Sequence, residues 1–451
     1  MSMYVTNHPI FLWHRHIYSV IGDGSAAYTE LERLPHISWI ENNEVIRSRF
    51  VQLLSPSNKR RIREWRRHVL TFAKAFSSNL KRRRSIPMED FQKKAQICID
   101  VVHEMITILR DSSQDAMFEE DSLFLMALCQ RATLLPHLFT HPSEVELSEG
   151  TSFDAGASAT VSRGLLGPKE VAVKTFRLYY RTVNRIKKRF IKEAIIMQLF
   201  HHPNVLRFVS VLNEPNKICI VTPWYRNGHI MKHIAGTPDA PLKELMEQVA
   251  DGLHFISQYG IVHGDLKGAN ILIDDEEKAV VADFGLSFIQ ESDPAEAPEP
   301  AKIDPFVLRI LRAQCAEALR AGRLSQSDQS ISTLAATILS TASASGGGTW
   351  QWMAPERLSP SAYGNPTARA TKKSDVYAFG MLVIEVFTGG PPWKSGLSQC
   401  SILLNVVTGC RPPRPPNVSD ELWEIVEQCW AHQPVERPTM WDIYNRLACI
   451  P

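Results

Sequence analysis

Lys174 closes the run Val171-Ala172-Val173-Lys174. Glu193 follows on a stretch whose stripe Phe190, Glu193, Met197, Phe200 recurs at helical spacing. An ammonium taken out of water needs a carboxylate partner to keep its charge, and an inward-facing glutamate among apolar neighbours supplies one. Further along, His263-Gly264-Asp265-Leu266-Lys267-Gly268-Ala269-Asn270 precedes Asp283-Phe284-Gly285, then Ala354-Pro355-Glu356, Asp375 and Arg437. Asn270 and Asp283 are hard oxygen donors of the kind magnesium takes when it also binds phosphate oxygens.

In order and in step, these motifs resemble the eukaryotic protein kinase family over roughly residues 145–449. The resemblance implies an α+β, bilobal protein kinase fold with a small β-rich N-lobe and a larger helical C-lobe. It implies ATP with Mg2+ as cofactors and transfer of the γ-phosphate to a protein hydroxyl. By residue, it makes Asp265 the catalytic base and brings Lys267 to the γ-phosphate. Lys174 grips the α- and β-phosphates with Glu193 as its partner, and Asn270 and Asp283 hold magnesium. The nucleotide-binding positions it implies are Gly156, Ala159, Val161, Ala172, Lys174, Thr222, Trp224, Tyr225, Leu272 and Asp283. Thr222 takes the gatekeeper place before the hinge, where Pro223 removes one amide donor. Asp375 would brace the catalytic loop and Glu356 would pair with Arg437. Phe208, Met197, Phe284 and His263 would stack as the regulatory spine.

Smaller features bear on substrate class. Lys267, two residues after Asp265, and Gly348-Thr349 ahead of Trp352-Met353-Ala354-Pro355-Glu356 look like serine/threonine kinases. Trp352-Met353 and the ending Cys429-Trp430 … Arg437-Pro438-Thr439 look most like the tyrosine-kinase-like branch of those kinases. Three departures stand against this background. The glycine-rich loop, Asp154-x-Gly156-x-x-Ala159-x-Val161, keeps one glycine of the usual three, although close backbone approach to phosphates favours glycine. Gly264 replaces the arginine that normally grips a phosphate on the activation loop. Asp283 and Glu356 stand 73 residues apart, with an insertion between them. The reading is therefore a protein serine/threonine kinase, with a nucleotide-weak pseudokinase acting as a scaffold through its N-terminal helices as the alternative.

The elements that must position these residues emerge from periodicity. Val171-Ala172-Val173, Val205 to Val211 and Ile218-Cys219-Ile220-Val221 predict strands of a small antiparallel sheet, and helices dominate after Pro241. Ahead of the kinase-like region, residues 1–45 form a leader of no assigned structure, and 46–140 predict a helical bundle. One stripe runs Ile62, Trp65, Val69, Phe72, Phe76, Leu80; a second runs Phe91, Ala95, Cys98, Val102, Met105, Leu109; a third helix is expected from Leu123 to Leu134. Residues 291–305 carry four prolines and five acids, and the stretch from Leu324 to Gly348 is crowded with small and hydroxyl residues. Such tracts bury too little apolar surface to hold a fold, so about 290–345 is expected to be a mobile insertion. It would serve as a phosphorylated segment, a partner-recruiting tract or a plain surface tail.

Composition sets the outer bounds. The 451 residues carry a net charge of +2, which argues against a general polyanion-binding role. Between Arg47 and Arg84, however, thirteen basic residues face a single acid, Glu64. Lys81-Arg82-Arg83-Arg84 reads as a nuclear import signal, an anionic-lipid contact, a basophilic kinase site with Ser85, or simply a solvated basic face. Nucleic acid is an improbable partner, because no aromatic residues interleave with the charge on that face. A protein substrate is the expected partner, with self-association or adaptor docking through the N-terminal helices. The eight cysteines are scattered with no C-x-x-C pair, as in reduced intracellular proteins. No stretch approaches the roughly 18 apolar residues of a spanning helix, and no secretory signal is evident. The expected location is the cytoplasm, with the nucleus as alternative.

Overall fold

The computed structural model describes Leu70, scattered positions within 92–107, then 115–139, 145–154, 159–178, 183–199, 201–214, 217–289, 350–363, 368–393, 397 and 399–450. The leader, the whole Ile62 stripe, the insertion and Gly156 lie outside these residues. Those described fall into two compact units. One holds the residues up to Leu199 together with Val209–Val221; the other holds 200–208 and the chain from Thr222 onward.

The first unit carries the sheet. Strands β1 (Glu146–Asp154), β2 (Ala159–Leu166), β3 (Lys169–Phe176), β4 (Ser210–Glu214) and β5 (Lys217–Pro223) are ordered β1-β2-β3-β5-β4. The β1–β2 and β2–β3 pairs are antiparallel hairpins, and the β2–β3 register sets Val161 opposite Lys174. Alternation along β3 sends Val171 and Val173 into a core with Leu166, Cys219 and Val221. Ala172, Lys174 and Phe176 therefore share the other face. Phe176 meets Phe190 edge to face at 5.6 Å, which docks helix α2 (Val183–Leu199) on that side.

Helix α1 (Asp115–Ala132) packs against α2, and Gln130 Nε2 donates to the Lys188 carbonyl at 3.2 Å. It begins eight residues before the expected Leu123 and ends two before Leu134, where Thr133 turns to φ +60° and Pro136 follows. Of the second apolar stripe, Ala95, Val102 and Met105 are helical and buried; Phe91, Cys98 and Leu109 lie outside the described residues. Gln96 and Asp100 tie this helix to the segment after α1, through the Leu135 carbonyl and the His137 backbone and ring.

The second unit is mainly helical: α3 (Ile230–Gly236), α4 (Leu242–Gln258), α5 (Pro355–Leu358), α6 (Lys372–Thr388), α7 (Gln399–Val407), α8 (Asp420–Cys429) and α9 (Met440–Ala448). Two-stranded pairs β6 (Ile261–Val262) with β9 (Phe288–Ile289) and β7 (Ile271–Ile273) with β8 (Ala279–Val281) accompany them. Helix α6 is buried from Ser374 to Val386 and forms the centre of the unit. Thr371 and Ser374 close a reciprocal capping box at its start, and Gly389 ends it at φ +67°.

One expected strand is corrected. Of Val205 to Val211, only Ser210 and Val211 enter a strand, because Asn204 to Leu206 is claimed by the second unit. There Val205 bridges Val281, Leu206 N–H donates to the Val281 carbonyl and the Asn204 side chain donates to Ala279 O. An apolar run records burial but not its partner. Helix α4 lies so close to this segment that a Cβ on Gly252 would stand 2.4 Å from the Asn204 carbonyl oxygen. Gly252→Ala is therefore expected to destabilise the unit by about 1–3 kcal/mol, read as a lowered unfolding midpoint.

Candidate active site

In the first unit, the face shared by Ala172, Lys174 and Phe176 aims Lys174 at helix α2, where Glu193 is buried among Phe190, Ala194 and Met197. The Lys174 Nζ to Glu193 Oε1 distance is 2.7 Å. Lys174 also lies 5.6 Å from the Phe176 ring centroid, a further favourable contact for its charge. Ala159 opens β2 fully buried, and Val161 is half-buried across from Lys174.

In the second unit, the remaining candidates gather around the turn from β6 to β7. The antiparallel register of β7 and β8 pairs Ile271 with Val281, so Asn270 and Ala282-Asp283 sit at the same end of that hairpin. The Ala282 N–H donates to the Asn270 carbonyl at 2.9 Å, holding that end closed. Asp283 adopts a left-handed backbone, φ +62°, with Oδ1 accepting from the Gly285 N–H at 3.3 Å. The amide nitrogen of Asn270 donates to the Asp265 carbonyl and to Asp265 Oδ2, at 2.7 and 3.1 Å. Lys267 Nζ lies 3.0 Å from the same Oδ2.

The loop backbone is pinned from below. Asp375 is buried and accepts from the His263 and Gly264 amides, at 2.6 and 2.9 Å. Burial raises its pKa from the usual carboxylate value; His263, the two amide bonds and Arg357 oppose that shift. His263 Nε2 lies 2.9 Å from the Ala282 carbonyl, and Ser287 Oγ donates to the His263 carbonyl at 2.9 Å. The rings of His263 and Phe284 are 5.5 Å apart; Phe208 is buried in this unit and Met197 in the other.

The stretch after Thr222, which is buried, is tied to β7. Ile273 N–H donates to the Gly228 carbonyl, His229 bridges Leu272, and Asn227 Nδ2 donates to the Asp274 carbonyl at 2.6 Å. Trp224, Tyr225 and Leu272 are half-buried there. Burial, then Asp274 and Asp275, push the Tyr225 phenol up from its ordinary pKa. The geometry thus collects Asp265, Lys267, Asn270 and Asp283 at one loop and pairs Lys174 with Glu193 in the other unit.

Two contributors were missed in the residue reading. Glu385, on α6, accepts from the Gly268 amide at 2.7 Å and from Trp352 Nε1 at 2.8 Å, fixing the loop just after Lys267. Burial raises its pKa, against these bonds and the Lys267 charge. Arg357, buried just after Glu356, donates from Nη1 to the Gly264 carbonyl at 2.9 Å. Neither residue lies at a spacing that periodicity would flag.

Comparison with known proteins agrees with this geometry. Residues 149–300 match the model described as protein kinase domain, and 324–447 match that of protein tyrosine and serine/threonine kinase. The interval between the two matches falls inside the expected insertion. The serine/threonine/tyrosine-protein kinase HT1 of Arabidopsis thaliana is 25% identical over 68% of this chain and 66% of its own. The serine/threonine-protein kinase STY46 of the same plant is 26% identical over 67% of this chain and 44% of its own. A probable serine/threonine-protein kinase of Dictyostelium discoideum is 26% identical over 68% of this chain and 28% of its own. The chain therefore matches less than two thirds of the length of these relatives. It belongs to the eukaryotic protein kinase family, and its relatives are consistent with the tyrosine-kinase-like type. The five-stranded sheet with α2 and the helical second unit are the two lobes of that α+β fold.

Proposed function

We propose that the chain is an active protein kinase that passes the terminal phosphate of ATP to serine and threonine hydroxyls of a protein substrate. One observation carries this reading: Asp265 is buried, yet among the described residues none donates a hydrogen bond to its Oδ1, while Lys267 and Asn270 hold Oδ2. A buried carboxylate oxygen without a donor is costly unless a ligand supplies one. An incoming hydroxyl is such a donor. Oδ1 would orient it and accept its proton as the oxygen attacks phosphorus.

The residues fit the cofactors that the family implies. Asn270 spends its nitrogen on Asp265, which leaves its hard carbonyl oxygen for a cation, and Asp283 adds a carboxylate at the same hairpin end. Bound there, magnesium would neutralise phosphate charge. Lys174, held by Glu193, would grip the α- and β-phosphates, and Lys267, 3.0 Å from Asp265 Oδ2, would approach the γ-phosphate. The scaffold alternative draws no support from this set. Support for serine and threonine comes from Lys267 and Gly348-Thr349, and from the relatives named as serine/threonine kinases. One relative is named for tyrosine as well, so tyrosine transfer is the competing outcome.

The test is phosphoamino-acid analysis after incubating the purified full chain with labelled ATP, magnesium and a mixed protein substrate. Phosphoserine and phosphothreonine are expected. Phosphotyrosine as the main product overturns the hydroxyl preference, and absence of transfer overturns the activity. In the same assay, Glu193→Gln should lower kcat/KM for ATP by about 10- to 10²-fold, the worth of one charge-assisted bond.

A further inference from the structure

We infer that Arg357 is a positioning residue for Asp265, acting through the Gly264–Asp265 peptide. The inference rests on the kinase reading above and concerns what sets the orientation of its base.

Both ends of that peptide are tied. Its carbonyl accepts from Arg357 Nη1 at 2.9 Å, and its N–H, on Asp265, donates to His263 Nδ1 at 3.3 Å. The preceding N–H, on Gly264, is held by Asp375. Gly264 sits at φ +79°, a conformation that other residues adopt only with strain, and a Cβ there would stand 3.3 Å from the Leu286 carbonyl oxygen. A glycine offers no side chain to fix its own peptide, and its backbone samples more states than any other residue's. The restraint must come from outside, and Arg357 supplies it.

Arg357 is itself held in place. It lies on α5, whose first turn is closed by Arg357 N–H to Ala354 O at 2.9 Å, and the preceding residue, Glu356, is locked to Arg437. Its guanidinium is buried, and the carboxylate charges of Asp375, Asp265 and Glu356 act on it. Burial lowers its pKa from the usual value, and those three carboxylates oppose the shift. Two of the three belong to the catalytic loop and its brace, so the same side chain contributes a hydrogen bond to the loop backbone and a positive charge that acts on the base. A planar, permanently charged donor suits that double task.

The test compares wild type, Arg357→Met and Arg357→Lys as full chains, each alone and combined with Asp265→Asn. The readouts are kcat, KM for ATP and the thermal midpoint. Loss of positioning by about an ångström costs about 10²-fold, so Arg357→Met should lower kcat by that factor with KM for ATP within about twofold. Arg357→Lys should recover part of kcat. In the Asp265→Asn background neither change should lower kcat further, because the group being positioned is already disabled. If the methionine variant fails to fold, the lysine variant carries the comparison: a kcat below wild type at unchanged KM, absent in the Asp265→Asn background, supports the inference. Full kcat in Arg357→Met, or in Arg357→Lys where the methionine variant does not fold, overturns it. So does an equal loss of kcat in both backgrounds. An inactive wild type overturns the kinase reading together with the inference; an active wild type that tolerates Arg357→Met overturns the inference alone.

Discussion

Asp265→Asn is expected to lower kcat by about 10²–10⁴-fold, the range for losing a positioned general base, with little change in KM for ATP or in the thermal midpoint. The substitution keeps shape and burial. An amide oxygen at the Oδ2 position can still accept from Lys267 and Asn270, which lie 3.0 and 3.1 Å away. The group at the Oδ1 position then becomes an NH2, which can neither accept the hydroxyl's hydrogen bond nor take its proton. Steady-state kinetics with labelled ATP measure the effect. A variant that keeps more than about a tenth of wild-type kcat would remove Asp265 from the role of base.

The legible part of this site is what local spacing encodes. Lys174 and Glu193 are 19 residues apart, but each stands on an element whose period is visible: alternation puts Lys174 opposite Val171 and Val173, and the helical stripe puts Glu193 beside Phe190 and Met197. Asp265, Lys267 and Asn270 lie within one short loop, and their mutual bonds follow from that proximity. Asp375 is 112 residues from His263, so no periodicity joins them, and only the family pattern pointed to the brace. Arg357 and Glu385 had neither advantage. They reach the loop across 93 and 117 residues, and each sits in a stretch where an arginine or glutamate reads equally well as a solvated residue. The fold shows the same limit. Ile218 to Val221 was readable as a strand because its neighbours are sequence-near, whereas the run from Val205 was not, since its pairing with Val281 is long-range.

The largest loss of stability is expected from breaking the Glu356–Arg437 pair on one side. Arg437 Nη1 and Nη2 meet the two carboxylate oxygens at 2.6 and 2.8 Å, and the side chains are 0% and 2% exposed. The guanidinium also donates to the Ala431 and Lys373 carbonyls and lies over the Tyr377 ring at 5.1 Å. Truncation by Glu356→Ala takes from a buried cation the carboxylate that pairs with it, a change that costs about 3–5 kcal/mol and should appear as a lower urea midpoint at unchanged slope. Removing both charges distinguishes this mechanism from simple loss of packing. Glu356→Met with Arg437→Met leaves no uncompensated ion, so its cost should fall well below the sum of the two single changes. It should still exceed zero, because the Ala431 and Lys373 carbonyls lose the donor that only a guanidinium at this position provides. Strict additivity of the two substitutions would mean that the pair contributes through volume alone, and that the buried charges are incidental to the fold.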